Sequence, residues 1–244
     1  MDECYLRATQ LLDSGHPRIQ ALIMERSWRD LPERERIGAI YDFVQNEIAF
    51  GYNQSDDLPA SAVLTDGYGQ CNTKATLLMA LLRATGTGCR LHGATISKRL
   101  QKGIMEGLFY RLAPSSIIHT WAEVFYDGRW AGLEGVVLDR RYLAGLRASL
   151  QVHGGAFCGY AVGTQDLADP PIAWQGTRTQ IQATAVNRDF GVFDDPDSFY
   201  RLHRGNVRGI RRWLIWPRMR TAMNRKVASI RAAANAAQAP LHRV

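Results

Sequence analysis

The chain has 244 residues, of which 46% are hydrophobic, and a formal net charge of +7. Its mean hydropathy of −0.23 is typical of a soluble globular protein. This length holds one large domain, or one domain with a substantial appendage. No apolar run approaches the roughly 18 residues of a membrane-spanning helix. The opening MDECYLRATQ also lacks the apolar stretch of a secretory signal peptide.

The four cysteines show neither CxxC spacing nor a zinc-binding pattern. They are Cys4, Cys71, Cys89 and Cys158. From this arrangement we expect no metal and no cofactor. We expect a reduced, cytoplasmic setting, because a thiol that acts as a nucleophile must stay unoxidised.

The N-terminal part of the chain is predicted to be helical scaffold. Residues 3–13 and 17–27 are predicted as short helices separated at Gly15–Pro17. A clearer helix is predicted over residues 32–48, which Pro32 opens and in which apolar residues recur at helical spacing.

A polar segment from Gly51 to Gly69 is predicted as a loop that leads into Cys71 and can line a cleft. Asp56 and Asp57 are adjacent acids within it. We interpret them as solvated rather than as a cation site, because the further oxygen ligands of such a site are not evident.

Cys71 opens a predicted buried helix. The sequence GYGQCNTKATLLMALLRATG runs from Gly67 to Gly86, and apolar residues follow the cysteine at helical spacing. The free N–H groups and the positive end of the dipole at a helix N-terminus favour an anion. Cys71 is therefore a candidate thiolate nucleophile, and a histidine delivered from elsewhere in the fold would complete the pair.

His119 is the candidate partner of Cys71. The sequence IIHTWAEVFYDGRWAGLEG, from Ile117 to Gly135, predicts two strands about an Asp127–Gly128 turn. His119, Trp121, Glu123 and Phe125 share one face of the first strand because side chains alternate along it.

An acid on the second strand can hydrogen-bond the other ring nitrogen of His119 and stabilise its imidazolium. Trp130, Gly132 and Glu134 share a face of that strand, so Glu134 is our candidate. Glu123 is an alternative, but it lies about 13 Å along the same strand from His119. Asp139 is a second alternative, beyond the predicted end of the strand.

Together these segments resemble the transglutaminase-like cysteine superfamily over residues 35–140. The matching elements are the cysteine helix, the histidine strand, the glycine–tryptophan hairpin and the acid, in that order. The residues that carry the resemblance are Gly69–Cys71, Lys74–Ala75, Arg83–Gly86, Cys89–Arg90, His119–Val124 and Gly128–Trp130.

The resemblance implies a papain-like α+β core and a Cys–His–Asp triad that performs acyl transfer on amides or thioesters. Carried over, it makes Cys71 the nucleophile, His119 the base and Glu134 the third member of the triad. The family usually has Asp in a Leu–Asp–Pro type sequence, whereas this chain has Leu133-Glu134-Gly135.

Between the predicted strands, residues 96–116 form a basic, glycine-containing segment next to His119 in the sequence. Two interpretations stay open: a substrate-facing loop or a solvated connector. His92, the second histidine of the core, is interpreted as structural.

After the core, a helix is predicted to begin at Asp139–Leu143. Residues 153–200 lack clear periodicity and are predicted as loops and short helices over the core. Asp195 and Pro196 are predicted as the cap and the first residue of one such helix.

The segment from Tyr200 to Val244 contains eleven Lys and Arg residues and no Asp or Glu. Apolar residues at helical spacing predict a helix with a bend at Pro217. The predicted division is therefore a catalytic domain over residues 1–199 and a basic helical C-terminal extension over residues 200–244.

Three interpretations of this extension stay open. The helix docks on the domain, with its arginines solvated or paired with the acidic stretch at 189–197. Alternatively it faces an acidic partner such as an acyl carrier protein or an acidic peptide. Nucleic acid or an anionic membrane is the least favoured partner, because no base-reading module accompanies the helix.

The sequence thus predicts a thiol enzyme that forms an acyl-enzyme at Cys71. Its substrate would be a protein, a peptide or a carrier-bound acyl group. Water as the acceptor would give hydrolysis or deamidation, as in a thiol protease or amidohydrolase, and an amine would give transfer. The alternative function is a non-catalytic module that holds an acidic partner with the basic C-terminal helix.

Overall fold

Helices and strands are mixed along the chain in the computed structural model, which describes residues 2–151, 154–203, 205–206 and 215–238. The helices are α1 Pro17–Glu25, α2 Glu33–Asn46, α3 Ala60–Asp66, α4 Cys71–Ala84, α5 Gly107–Leu112, α6 Arg140–Leu150, α7 Pro196–Leu202 and α8 Trp216–Gln238. The strands are β1 Ala49–Phe50, β2 Tyr68–Gly69, β3 Cys89–Ser97, β4 Ser116–Tyr126, β5 Arg129–Gly132, β6 Phe157–Gly159, β7 Val162–Thr164 and β8 Val186–Phe193. Short 3-10 turns are Glu3–Tyr5, Trp28–Asp30, Lys98–Gln101, Glu134–Val137 and Ala183–Ala185.

The main sheet has four antiparallel strands in the order β5-β4-β3-β8. The predicted hairpin is confirmed, since β4 and β5 pair across Asp127 and Gly128, whose φ angles of 51° and 72° suit a tight turn. The second strand is shorter than predicted. It ends at Gly132, and Glu134 begins a 3-10 turn instead of continuing the strand.

Helix α4 is the central element of the core. Its residues from Asn72 to Arg83 are all buried, and the helix packs against β4, α2 and α3. Helix α4 is therefore buried on all of its faces, unlike an amphipathic surface helix, which buries only one.

Sequence-based predictions were partly wrong before α4. Residues 3–13 form only the turn Glu3–Tyr5 and irregular backbone, whereas α1 and α2 match their predicted positions within a few residues. The polar segment 51–69 is not only a loop, because it contains α3 and β2.

After the hairpin, α6 begins where predicted, and Asp139 caps it by accepting a hydrogen bond from the N–H of Tyr142 at 2.8 Å. Asp195 and Pro196 also open α7 as predicted. The prediction of only loops and short helices over residues 153–200 is wrong, because β8 joins the main sheet beside β3.

Helix α8 packs against α6 through a close backbone contact. A Cβ atom at Gly145 would lie 1.9 Å from the carbonyl oxygen of Ile230, so only glycine fits there. Met223, Val227 and Ile230 are buried in the same apolar cluster as the buried apolar side chains of α6. Pro217 lies in the first turn of α8. The predicted bend cannot be compared with the residues before it, because 207–214 lie outside the described residues.

No helix within the described ranges combines the length and the apolar character needed to cross a membrane.

Candidate active site

Cys71 is the first residue of α4, and its side chain is partly exposed at one wall of a cavity. The first main-chain bond of the helix joins the N–H of Lys74 to the carbonyl of Gln70. The N–H groups before Lys74 therefore have no acceptor one helical turn back. An anion at the Cys71 sulfur, or on an oxygen beside it, lies at the positive end of the helix dipole.

His119 lies on β4 and is fully buried. It is paired with Ala94 of β3 in the register of the sheet, and its ring packs against Trp121 with centroids 5.4 Å apart. Nε2 donates to Oε1 of Glu134 at 2.9 Å, whereas Nδ1 is buried and has no nitrogen or oxygen partner among the described residues. This leaves Nδ1 as the ring nitrogen available to Cys71.

Burial alone would lower the pKa of His119, but its surroundings more than reverse that effect. The charge of the Cys71 thiolate and a hydrogen bond to it raise the pKa, followed by the hydrogen bond and charge of Glu134, to about 10. The site therefore favours the imidazolium, which is the form that pairs with a thiolate.

Glu134 is held by the backbone as well as by His119. Its Oε2 accepts hydrogen bonds from the N–H groups of Ile181 at 3.0 Å and Gln182 at 3.2 Å. Its carboxylate is 6% exposed. One oxygen thus faces the imidazole while the other is fixed, which sets the orientation of the ring.

The residue after Glu134 is constrained by close packing. A Cβ atom at Gly135 would lie 2.7 Å from the hydroxyl oxygen of Tyr41. The Gly135 carbonyl accepts from Gln45 at 2.9 Å, and its N–H donates to Thr179. These contacts fix the turn that presents Glu134 to His119.

The two alternative acids lie elsewhere. Glu123 accepts from Arg90 at 2.7 Å and pairs with His92 at 2.9 Å. Asp139 pairs with Arg231 of α8 at 2.6 Å, in addition to capping α6. Burial would raise the pKa of Asp139, but the hydrogen bond and charge of Arg231 hold it below its ordinary value.

His92 has a structural environment, in line with its interpretation. Its ring stacks on Trp121 at 4.2 Å and bridges Glu123 and Asp189. It therefore holds Trp121, the residue against which His119 also packs.

Polar side chains beside Cys71 form a small network around Asp56. The Asp56 carboxylate, 7% exposed, accepts from Asn72 Nδ2 at 2.9 Å, Gln70 Nε2 at 3.2 Å and the N–H of Asn206 at 2.7 Å. Asn72 Oδ1 in turn accepts from Thr120 at 3.1 Å. Asp56 is therefore buried and hydrogen-bonded rather than solvated, which corrects its interpretation. No group of His, Cys, Asp and Glu within the described ranges has metal-binding geometry.

Lys74 lies one turn along α4 from Cys71 and is fully buried. Its Nζ donates to the carbonyls of Gln45 at 3.0 Å and Val137 at 3.2 Å. Burial lowers the pKa of Lys74 to about 7, against the opposing charge of Asp139. It ties α2 and the 3-10 turn of Glu134 to the cysteine helix.

A cavity of about 340 Å³ opens beside Cys71. Its walls come from the segment before α4, from residues 96–118 and from the start of α8. Residues 96–116 contain a 3-10 turn and α5, and several of them line the cavity, as the substrate-facing interpretation expects. Trp216, Met219 and Met223 of α8 form another wall.

Residues 24–134 match the family model described as the transglutaminase-like superfamily. This span, a little under half of the chain, is therefore similar to the transglutaminase-like superfamily. It includes Cys71 and His119 and ends at Glu134, and it begins within α1, earlier than the predicted start at residue 35. The mixed helices and antiparallel sheet are the fold expected for this superfamily, and the match supports a cysteine-based enzyme as the general class.

Two solved structures are similar to the chain at low identity. A proposed cysteine protease from Cytophaga hutchinsonii is 13% identical, with a TM-score of 0.46, over 81% of this chain and 49% of that protein. Red sea bream transglutaminase is 14% identical, with a TM-score of 0.34, over 90% of this chain and 40% of that one. The chain therefore spans about half the length of these proteins, or less. No curated protein sequence matches it.

The structure brings Cys71, His119 and Glu134 together. The sequence analysis did not predict that the N–H groups of Ile181 and Gln182 bind Glu134. Nearly every residue has a main-chain N–H group, so residue type does not reveal which of them acts as a donor. The wall supplied by α8 was missed as well. The apolar spacing of α8 was visible, but not the surface that it contacts.

Proposed function

We propose that the protein is a thiol enzyme that acts on amide or thioester carbonyls through an acyl-enzyme at Cys71. The observation that carries this proposal is the surroundings of His119. One ring nitrogen is bonded to Glu134, and the other is left to the sulfur at the N-terminus of α4. A nucleophile, a base and a residue that orients the base are the parts that such chemistry needs.

In the first step the Cys71 thiolate attacks the carbonyl carbon of the acyl donor. The oxyanion that forms lies near the N–H groups at the start of α4, including that of Cys71. Loss of one such donor typically lowers the rate about 10²–10³-fold. The His119 imidazolium then protonates the leaving group, which departs as an amine or a thiol.

In the second step neutral His119 removes a proton from the acceptor, which attacks the thioester carbon and releases Cys71. Water as the acceptor gives hydrolysis or deamidation, whereas an amine gives transfer. Glu134 keeps Nε2 occupied throughout, so Nδ1 is the atom that moves the proton.

Alkylation with iodoacetamide tests the thiolate–imidazolium pair without knowledge of the substrate. At pH 6 an ordinary thiol with a pKa near 8.5 is less than about 1% thiolate. We expect Cys71 to react at least roughly tenfold faster than the exposed Cys158, as measured by peptide mapping of the same sample. His119→Gln is expected to remove this advantage.

Cys158 and Cys89 are internal controls in that experiment. Burial raises the pKa of Cys89 to about 11, so it should stay unmodified while the protein is folded. Equal labelling of Cys71 in the wild type and in His119→Gln would contradict the proposed function.

We also propose that an acidic partner, such as an acyl carrier protein, approaches the outer face of α8. Arg225 is exposed on that face, while Arg231 is engaged with Asp139. Arg225→Glu should weaken binding of an acidic carrier protein and leave Cys71 alkylation unchanged. If the wild type and Arg225→Glu bind the carrier protein with equal affinity, α8 only packs against the rest of the protein and does not bind an acidic partner.

A cytoplasmic location remains part of this proposal. It is supported by the four free cysteines and by the need of a thiolate nucleophile for reducing surroundings.

A further inference from the structure

The cavity beside Cys71 is lined mainly by large apolar side chains. Several come from the segment that precedes His119, and others come from α8. The apolar lining residues include Met105, Phe109, Ile117, Trp216, Met219 and Met223. Its volume of about 340 Å³ is at the lower end of the range for small-molecule pockets.

Charge in this lining is negative. Among the described lining residues, Asp56 is the one carboxylate, and the proposed Cys71 thiolate is the other charged group. The Asp56 carboxylate already accepts three hydrogen bonds, from Gln70, Asn72 and the backbone of Asn206. Asp56 would repel an anion, and the described lining holds no Lys, Arg or His side chain to attract one.

A peptide segment would be a poor occupant of this cavity. Each main-chain N–H and C=O group placed in it would need a hydrogen-bond partner. The polar lining side chains next to Cys71 in the sequence are Gln70 and Asn72, and both are already bonded to Asp56. Gln182 Oε1 is the one buried lining side-chain atom that has no partner among the described residues, so the lining could satisfy little of a peptide backbone. An uncharged chain of carbon and hydrogen needs no such partner and gains from leaving water.

We propose that this cavity is an acyl-chain site, and that the acyl donor of Cys71 carries a medium-length, uncharged apolar acyl group rather than a peptide-borne side chain. The inference rests on the proposed function, because it names the substrate class of the same nucleophile. The chain would lie between α8 and the segment before His119, with its carbonyl carbon at the Cys71 sulfur.

The transfer step is balanced by the groups already present. The Cys71 sulfur forms a bond to the acyl carbon as the bond from that carbon to the leaving group breaks. His119 supplies the proton that the leaving group takes. The acceptor returns a proton to His119 when it displaces the sulfur.

p-Nitrophenyl esters of acetate, butyrate, hexanoate and octanoate test the proposal on the full chain. The Cys71→Ala rate is subtracted for each ester, and intact-mass spectrometry follows the acyl-enzyme. We expect kcat/KM to rise roughly three- to fourfold per methylene until the cavity is filled. A flat or falling series, with Cys71 still acylated by the acetate ester, would overturn the acyl-chain site and leave the proposed function intact.

A charge placed in the cavity provides a matched comparison. Met219→Glu, in the lining, should lower kcat/KM for the octanoate ester at least tenfold more than it lowers kcat/KM for the acetate ester. Met24→Glu makes the same change at a position that is 72% exposed on α1, and should alter neither rate. Equal loss for both esters in a folded Met219→Glu protein would contradict the proposal.

Calorimetry of octanamide binding to Cys71→Ala tests whether the cavity holds an acyl chain. It requires neither acylation nor the Met219 variant. Binding that weakens for butanamide, with a negative heat-capacity change, is the expected result. Absence of binding would overturn the acyl-chain site. If no ester acylates Cys71, the proposed function is wrong. The acyl-chain site is then also wrong, even if octanamide binds in the calorimeter.

Discussion

The two ring nitrogens of His119 have different surroundings, and this difference determines what the residue can do. Nε2 donates to a carboxylate that is itself fixed by two backbone amides, whereas Nδ1 has no nitrogen or oxygen partner in the part of the chain that the structure describes. Glu134 therefore acts as a positioning residue in our proposal. It selects the orientation of the ring and stabilises its protonated form.

Replacement of Glu134 by Gln tests this role. The amide is nearly isosteric but cannot stabilise the imidazolium with a full charge, so we expect Cys71 acylation to slow roughly 10–10³-fold. Because Glu134 helps to raise the pKa of His119 to about 10, the alkaline fall in rate should begin at lower pH in the variant. Glu134→Asp should retain more activity than the amide.

The measurement is the rate of acyl-enzyme formation between pH 5 and pH 10.5, in proteins of matched thermal stability. A purely structural role would lower the rate without moving the alkaline limb. A near-wild-type rate for Glu134→Gln, with strong loss for Asp139→Asn, would transfer the role to Asp139.

Residue-level prediction from the sequence succeeded for side chains whose spacing is regular. His119 and Glu134 flank one hairpin, so strand alternation and a tight turn brought them close. The prediction reached Glu134 although the strand ends at Gly132, because the turn that follows still carries the carboxylate to the ring. The supporting amides lie 47 and 48 residues further along the chain, beyond any local pattern.

At the scale of elements, α8 is joined to the core by a buried ion pair as well as by apolar packing. Arg231 donates to both Asp139 oxygens and to the carbonyl of Phe50, and the Asp139 carboxylate is 4% exposed. The Asp139 carboxylate has lost most of its hydration in the folded protein. Without Arg231 it would be a buried charge that has no counter-charge, which is strongly destabilising.

We therefore expect Arg231→Met to lower the free energy of unfolding by roughly 3 kcal/mol, since it leaves Asp139 buried without a counter-charge. Adding Asp139→Asn to that variant should restore part of the loss. Urea denaturation of the two single variants and the double variant measures the coupling. Strictly additive losses would show that the pair contributes no interaction of its own.

Strand β8 shows why some elements escaped prediction. It reads VNRDFGVF and pairs with β3 at the edge of the sheet, so most of its residues are at least partly exposed. An edge strand that carries polar residues lacks the alternation by which strands are recognised. Arg231 of the basic helix binds Asp139, a partner that the sequence analysis did not name for it.

For the whole molecule, Lys74 links stability to pH. In the unfolded chain a lysine keeps its proton up to a pKa near 10.4, whereas burial lowers the pKa of Lys74 to about 7 in the folded protein. Between these values the unfolded state binds more protons than the folded state. The contribution of Lys74 to folding stability therefore increases as the pH rises from about 7 to 10.

Comparison with Lys74→Met isolates this contribution. The wild type should gain up to about 1.4 kcal/mol of stability per pH unit relative to the variant, when unfolding in urea is followed at pH 7, 8 and 9. Lys226→Met, at a partly exposed lysine of α8, should give a curve parallel to the wild type. Parallel curves for Lys74→Met as well would mean that Lys74 keeps its proton in the fold.

The wall that α8 gives to the cavity has a consequence for the protein while it is being synthesised. Domains generally begin to fold from the N-terminal end as the chain is made. Cys71, His119 and Glu134 all emerge well before Trp216, Met219 and Met223. A nascent chain can thus assemble its nucleophile and base while the cavity beside them still lacks one side. The proposed nucleophile is present first, and the wall of the proposed acyl-chain site is added afterwards.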